Sequence, residues 1–381
     1  MWEIFIRFFT LGWISFGGPA AHIGYFRHTF VEKLKWMSDQ QYGQIVALSQ
    51  FLPGPGSSQV GFAIGYQRGG LLGASLAFIG FTLPSIILMV LLATFSRYWL
   101  DTSQYALLIH GLKLLAVVVV AEATWGMYQN FCRTKTTASL GLFSAVILLC
   151  IPGILAQILV IVLAAIIGII WLKNPHPTTT LTPFRPTWWP LVLFVAILFG
   201  LPWLVSSSAS VMLFEQFFHA GSLVFGGGHV VMPLLQNLLA DQISSDIFLA
   251  GYAAAQAVPG PMFTLATYLG YYLLPASPVT GAIIATIGVF LPGFLLLLGV
   301  LKHWQNLANL PSVSGALTGV NASVVGLLLA ALYQPVFISA VFNVVDVALI
   351  LIGLWLLKIM KWPILGLVMF YLTTALIRFF L

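Results

Sequence analysis

Two proline-glycine-proline triplets interrupt apolar stretches of this chain. The first is Pro53-Gly54-Pro55, continued by Gly56, Ser57, Ser58 and Gln59; the second is Pro259-Gly260-Pro261, with Thr264 as its nearest hydroxyl. Proline lacks an N–H and disrupts the turn before it, and glycine lets the chain turn sharply and lets another group approach. Each triplet should therefore end one helix and start another. A helix start leaves amides without partners and carries partial positive charge, which together make an anion site. A second pair of breaks precedes these, at Phe16-Gly17-Gly18-Pro19 and Phe225-Gly226-Gly227-Gly228, each followed by a histidine, His22 and His229. The chemistry expected is capture of a small anion by backbone amides, with hydroxyls and imidazole as further donors.

Few ionisable groups lie within apolar segments. Lys113 is a candidate countercharge to the anion, with a snorkelling side chain or an ion pair as the alternative. Asn321 occupies the matching place in the second half. Glu122, Glu215 and Asp346 are candidate proton carriers, although structural pairing with another helix serves equally well. Arg7 can pair with Glu3 one turn away. Arg68 is interfacial or lines the anion path. No HExxH, nucleophile elbow or paired acidic motif is present, which argues against an intramembrane enzyme. No P-loop supports ATP-driven pumping. No metal site or cofactor is expected. Cys132 and Cys150 are too few for a disulfide framework and read as buried thiols.

These residues must be positioned by elements that live in a bilayer. Of 381 residues, 60% are hydrophobic and 6% are charged, against about 25% charged in soluble domains. The stretches 136–172, 247–301 and 304–345 hold no Asp, Glu, Lys, Arg or His. Each is long enough for more than one crossing at roughly 20 residues per spanning helix. Lipid offers the backbone no partners, so the spans should be helices. The first apolar stretch contains Glu3 and Arg7 and lacks a cleavage-like site, so it is expected to remain in the mature protein. The net charge of +6 fits basic cytoplasmic loops, and with no soluble basic domain nucleic-acid binding is not expected.

The chain is a duplication. The Phe-Gly-Gly triplets are offset by 209 residues, the Pro-Gly-Pro triplets by 206, and Pro84 and Pro292 by 208. The organisation expected is a first repeat over 1–173, a linker plus extra apolar segment over 174–213, and a second repeat over 214–381. Basic residues follow the first helix in one half (Arg27, Lys33, Lys35) and the fourth helix in the other (Lys358, Lys361). Positive-inside logic then places the halves upside down relative to each other. The fold class is an all-α polytopic membrane protein with two inverted-topology repeats, broken or re-entrant helices, and roughly 10–13 membrane segments. Whether 188–205 crosses decides the parity.

With those residues in hand, the chain resembles the chromate transporter family in its long, two-repeat form. The resemblance rests on FGGPAAHIGYFRHTFVEKLKWMS (Phe16–Ser38), LPGPGSSQVGFAIGYQRGGLLGA (Leu52–Ala74), FGGGHVVMPLL (Phe225–Leu235) and AVPGPMFTLATYLGY (Ala257–Tyr271). Gly228 stands where the first half has Pro19, and His229 aligns two places earlier than His22. The resemblance implies a secondary transporter that expels chromate, a tetrahedral dianion like sulfate, from the cytoplasm and so confers chromate resistance. It implies a multi-pass protein of the cell inner membrane with the breaks of both halves converging on the anion. A transporter of sulfate or another oxyanion, or a passive anion channel, is the alternative. The partners expected are that oxyanion, membrane lipid and, as a candidate, a second copy in a homodimer.

Overall fold

Uncharged, Leu/Ile/Val-rich sequence makes the helices, and glycine and proline set their ends. The computed structural model describes residues 1–99, 103–172, 186–225, 231–239, 241–301 and 310–380. Among these residues every regular element is helical. In the first half they are α1 (Trp2–Ile14), α2 (Gly18–Phe26), α3 (Asp39–Phe51), α4 (Gly56–Trp99), α5 (Ser103–Phe131), α6 (Lys135–Cys150) and α7 (Ile154–Trp171). A connecting helix α8 (Trp188–Gly200) runs into a 3-10 segment, Leu201–Ser207. The second half has α9 (Ala209–Leu223), α10 (Val231–Leu239), α11 (Ser245–Ala257), α12 (Leu265–Leu273) and α13 (Pro278–Val300). It closes with α14 (Pro311–Ala331), α15 (Val344–Lys358) and α16 (Ile364–Phe380). Gly226, Gly227, Gly228 and His229 lie outside the described residues.

The breaks reverse the chain instead of merely interrupting it. Phe8 of α1 packs on Phe26 and Phe30 beyond the first break, with ring centroids 5.6 and 4.7 Å apart. Gly56 meets the carbonyl of Ser49, and in the second half Gly251 meets the ring of Tyr268. Helices α1/α2, α3/α4 and α11/α12 are therefore re-entrant hairpins with their tips at the breaks. An arm of 13 residues, such as α3 or α11, reaches about 20 Å, well into a hydrocarbon core of about 30 Å. Helix α4 reverses again at Gly69–Gly70, where the backbone leaves helical geometry. Its inner arm, 56–68, lies against its long arm, 71–99, through Gly65 and Gly73. Gly270 and Gly281 make the same contact between α12 and α13.

The halves interlock. Gly111 of α5 packs on the backbone of Tyr371 in α16, and Gly319 of α14 packs on that of Ala164 in α7. Each half thus lends its post-hairpin helix to the closing pair of the other. Glycines permit this close approach, which is how helices associate where lipid removes the hydrophobic drive.

The contacts also set orientation. Phe78 of α4 stacks near Phe290 and Phe294 of α13, at 5.0 and 4.9 Å. At the repeat offset these positions correspond to 82 and 86, so equivalent residues do not sit at equal heights. A pseudo-two-fold axis along the helices would require equal heights; an axis in the membrane plane does not. The arms give the same result. Met1 and Ile4 lie by Gly69, at the turn between the two arms of α4, so the hairpins of the first half open on the face that carries Lys33 and Lys35. Arg133, Lys135, Lys358 and Lys361 reach that same face as the chain is followed through α5, α6 and α15. Asp241 and Asp246 lie on the opposite one. Helix α8 with its 3-10 extension resolves the parity: Thr187 N–H donates to Gly299 O at the basic-face end of α13 (2.9 Å), and the segment delivers α9 to the other face. Among the described residues, four stretches are long and apolar enough to cross a membrane, namely Gly56–Arg97, Leu107–Phe131, Pro278–Val300 and Pro311–Ala340. Shorter apolar helices accompany them.

Candidate functional site

Each Pro-Gly-Pro break meets the chain that enters the Phe-Gly-Gly motif of the other half. Gly54 N–H donates to Val224 O (2.7 Å), and Gly260 N–H donates to Ser15 O (2.9 Å). Each Pro-Gly-Pro tip is therefore bonded to the residue directly before the Phe-Gly-Gly triplet of the other half. The tips also press on the middle of the other half's long helix. Gln59 Nε2 donates to Pro53 O (2.9 Å) and to Gly293 O (3.0 Å), and Ser85 Oγ donates to Pro259 O (2.7 Å). Gly54 and Gly260 have φ of 114° and 100°, a backbone that glycine alone adopts without strain.

On the first-half side two helix starts come together. Gly17 (φ 100°) caps α2, with Pro19 in the first turn. Ring nitrogens of His22 lie 3.2 Å from Ser57 Oγ and 3.2 Å from Ser15 O. A carbonyl can only accept, so Nε2 carries the proton and Nδ1 of the neutral ring accepts from the Ser57 hydroxyl. The first turns of α2 and of the inner arm of α4 are thereby locked side by side. The first internal bond of that arm runs from Gln59 N–H to Pro55 O (2.9 Å). The amides of Gly56, Ser57 and Ser58 precede it and point out of the helix start.

Unsatisfied polar atoms concentrate around this junction. Among the described residues, the hydroxyls of Ser15, Ser58 and Thr82 and the side-chain oxygen of Gln59 are buried with no hydrogen-bond partner. Each such atom costs about 1–3 kcal/mol if left bare, so clustering marks a place where water or a polar guest belongs. Among the described residues that form the junction, none carries a charged side chain. What the arrangement offers is neutral donors plus the positive ends of two helices, a cradle for an anion rather than a reaction centre.

Several candidates take other positions. The amides of Gly54 and Gly260 are committed to the opposite half, which moves the exposed donors to Gly56, Ser57 and Ser58. Both nitrogens of His22 are engaged, so the ring positions the helices instead of reaching for the anion. Thr264 Oγ1 donates to Pro261 O (2.8 Å), closing on its own turn. Lys113 is buried and forms an ion pair with Asp246. Asp246 begins α11, a helix length away from the Pro-Gly-Pro tip, so the structure does not bring Lys113 to the breaks. Asn321 is half-buried on α14.

The three carboxylates all have partners. Glu122 binds Lys358 Nζ (3.1 Å), and Glu215 pairs with His219 (3.0 Å). Asp346 Oδ2 accepts from the amides of Phe342 (3.0 Å) and Asn343 (3.2 Å), capping α15. Arg7 and Glu3 approach to 3.9 Å, and Arg68 lies over Trp36. Cys132 is buried, whereas Cys150, at the end of α6, is exposed; an apolar neighbourhood in the sequence does not separate a lipid-facing thiol from an internal one. Sequence reasoning passed over Ser15, Thr82 and Ser85. Ser15, a hydroxyl directly before Phe-Gly-Gly, carried a usable signal; Thr82 and Ser85 are placed only by the tertiary fold.

At the basic surface Arg27 holds α2 to α3. Its Nε and Nη2 donate to the two carboxylate oxygens of Asp39 (2.8 and 3.2 Å), and its Nη1 donates to Glu32 (2.6 Å). These hydrogen bonds hold the Asp39 carboxyl below its ordinary range; the hydrogen bond from His28 does the same for Glu32, aided by the Arg27 charge.

Comparison with known proteins agrees with this architecture. The family described as chromate transporter matches residues 2–169 and again residues 211–378. An uncharacterized transporter of Methanocaldococcus jannaschii is 28% identical over 340 residues, covering 86% of this chain and 82% of the relative. A chromate transport protein of Pseudomonas aeruginosa is 27% identical over 340 residues, 86% of this chain and 79% of the relative. One from Cupriavidus metallidurans is 25% identical over 364 residues, 92% and 86% respectively. No solved structure matches the chain. A family unit in each half, joined through reciprocal contacts at their helix breaks, makes this chain a multi-pass membrane protein that belongs to the chromate transporter family.

Proposed function

We propose that the protein is a secondary active transporter that exports chromate from the cytoplasm across the inner membrane and so confers chromate resistance. The observation that carries this reading is the junction where each Pro-Gly-Pro tip meets the opposite half, with buried unpartnered hydroxyls beside two adjacent helix starts. A tetrahedral dianion suits that chemistry: its oxygens accept from neutral N–H and O–H donors, and two helix starts offset its charge. The residues proposed to touch it are Gly56, Ser57, Ser58, Ser15 and Thr82, with Gly17, Gly18 and His22 holding the facing helix start. Chromate transport proteins among the relatives support the choice of anion.

The inverted halves supply a mechanism. Each half holds the Pro-Gly-Pro tip of the other by a backbone bond. Rocking one half against the other opens the junction to one face and closes it to the other. Of the three carboxylates, Asp346 caps α15 and also meets His110 (3.4 Å), and Glu122 binds a surface lysine. The Glu215–His219 pair on α9 is the proposed proton-coupling element, since it lies on an arm that ends at the junction.

Transport in proteoliposomes tests the proposal. Chromate and sulfate are compared under imposed pH and potential gradients. Saturable chromate movement that builds a concentration gradient supports it. Movement that only equilibrates the two sides identifies a passive anion channel, and a sulfate preference identifies the other oxyanion reading.

A further inference from the structure

Away from the junction, a second polar site lies on the face opposite the basic loops. A cavity of about 210 Å³ is enclosed by α10, the α6–α7 turn, the start of α11 and the end of α14. A single water needs roughly 10–15 Å³ of such volume, so the space holds several waters or an anion with part of its hydration. Its polar lining is four carboxamides, Gln157, Gln236, Asn237 and Gln334, together with Ser245. Charged side chains are not part of the lining.

Two of these amides are unspent. Gln157 is only 4% exposed, and its side-chain oxygen has no partner; that of Gln236 has none either. Inside apolar surroundings such groups persist where something polar fills the space. Asn237 Nδ2 donates to Pro233 O (3.1 Å) on its own helix. Gln334 is exposed and marks the open end. Rotated about the last torsion, each glutamine presents an NH₂ group with two donors. So turned, the lining offers donors to an anion, with no charged side chain among its described residues.

Placement adds a direction. Helix α10 follows the second Phe-Gly-Gly break and carries Pro233, Gln236 and Asn237 into the cavity wall. At the repeat offset the first half has Arg27 and His28 where the second has Gln236, and there they form an ion-pair network. At this matching place the two repeats are thus chemically unlike: an ion-pair network on the basic side, a carboxamide-lined cavity on the other.

We infer that this cavity is a vestibular subsite for a tetrahedral oxyanion on the non-cytoplasmic face, where the ion exchanges junction donors for carboxamide donors before release. The inference rests on the oxyanion-transport reading above. It is tested with the full-length protein by chromate–chromate exchange in right-side-out and inside-out vesicles. Gln157→Leu with Gln236→Leu should raise KM about fivefold at the non-cytoplasmic face, the loss of two ordinary hydrogen bonds. Vmax and the KM at the basic face should be unchanged. Gln157→Glu, near in shape but negative, should raise that one-sided KM further, and it carries the test alone if the double variant fails to fold. A purely structural cavity would lower Vmax or folded yield and leave KM alone, which would overturn the inference. An equal rise in KM at both faces would overturn it too, because the residues would then act on the junction. If the unmodified protein moves neither chromate nor sulfate, the transport reading itself fails; normal wild-type exchange with unaltered variants removes only the vestibule.

Discussion

Replacing Gly54 by alanine tests the interlocked tips most sharply. With φ at 114°, a Cβ there forces a backbone that costs about 1–3 kcal/mol. The added carbon would also sit 2.9 Å from the Cα of Gly293, inside the ~3.5–4.0 Å at which carbons rest. Such overpacking costs a further 1–3 kcal/mol or so. The sum, about 2–6 kcal/mol, falls on the contact between a hairpin of one half and the long helix of the other. At 1.4 kcal/mol per tenfold, chromate flux in proteoliposomes should fall at least about 30-fold. Two other glycines calibrate the effect. Gly18 has φ of 75° with nothing within 4 Å of its Cβ position, so Gly18→Ala should cost strain alone and give an intermediate loss. Gly24 lies within α2 with open space and ordinary φ, and Gly24→Ala should be silent. Equal flux in all three variants would refute the reasoning, since strain separates Gly18 from Gly24 and the contact with Gly293 separates Gly54 from both.

Gln59→Leu removes both donations that tie Pro53 O to Gly293 O and should lower thermal stability and flux together, by about 1–3 kcal/mol in unfolding free energy. Glu215→Gln should abolish flux driven by a pH gradient while leaving chromate–chromate exchange intact; loss of both would assign Glu215 to folding. Lys113→Ala and Asp246→Asn should each cost transport, and the double variant should be no worse than either, because the two side chains act as one pair. The Asp39 and Glu32 carboxylates protonate only below the ordinary carboxylate range, because the Arg27 and His28 hydrogen bonds favour their charged forms. Their folded values are depressed, so the connection they stabilise is complete above the ordinary carboxylate range and is lost as pH falls through those values. Hydrogen exchange over 27–39 should accelerate there and not at neutral pH. In a cysteine-free background, cysteines at positions 35, 133 and 361 should react with an impermeant thiol reagent from the basic face, and those at 153 and 241 from the other; reactivity of 35 and 361 from opposite sides would contradict the inverted arrangement.

Much of this was legible in the chain because duplication leaves a register. The two Pro-Gly-Pro triplets and the prolines at 84 and 292 mark equivalent points, and the apolar runs dictate helices. The reversal of the chain at each break was not legible, because proline and glycine permit either a kink or a hairpin and only the packing of Phe8 on Phe26, or Gly251 on Tyr268, chooses. The exchange of α5 and α14 between halves was hidden for a similar reason: Gly111 and Tyr371 are far apart in sequence and neither belongs to a motif. Lys113 was visible as an anomaly, but its partner Asp246 lies in the other repeat, so its role as a countercharge to the anion could not be separated from an ion pair. The carboxamide cavity has no spacing signature at all, since its members come from helices of both halves.

The account turns on a dianion resting where the breaks of both halves meet. Selenate is a tetrahedral dianion with an anomalous scatterer at its centre, and its position in crystals of this protein can be measured directly. A peak within hydrogen-bond reach of the amides of Gly56, Ser57 and Ser58, weakened in competition with chromate and absent in Gly54→Ala, is the predicted result. A peak confined to Lys113 or to the basic loops, with the junction filled by side chains alone, would contradict it.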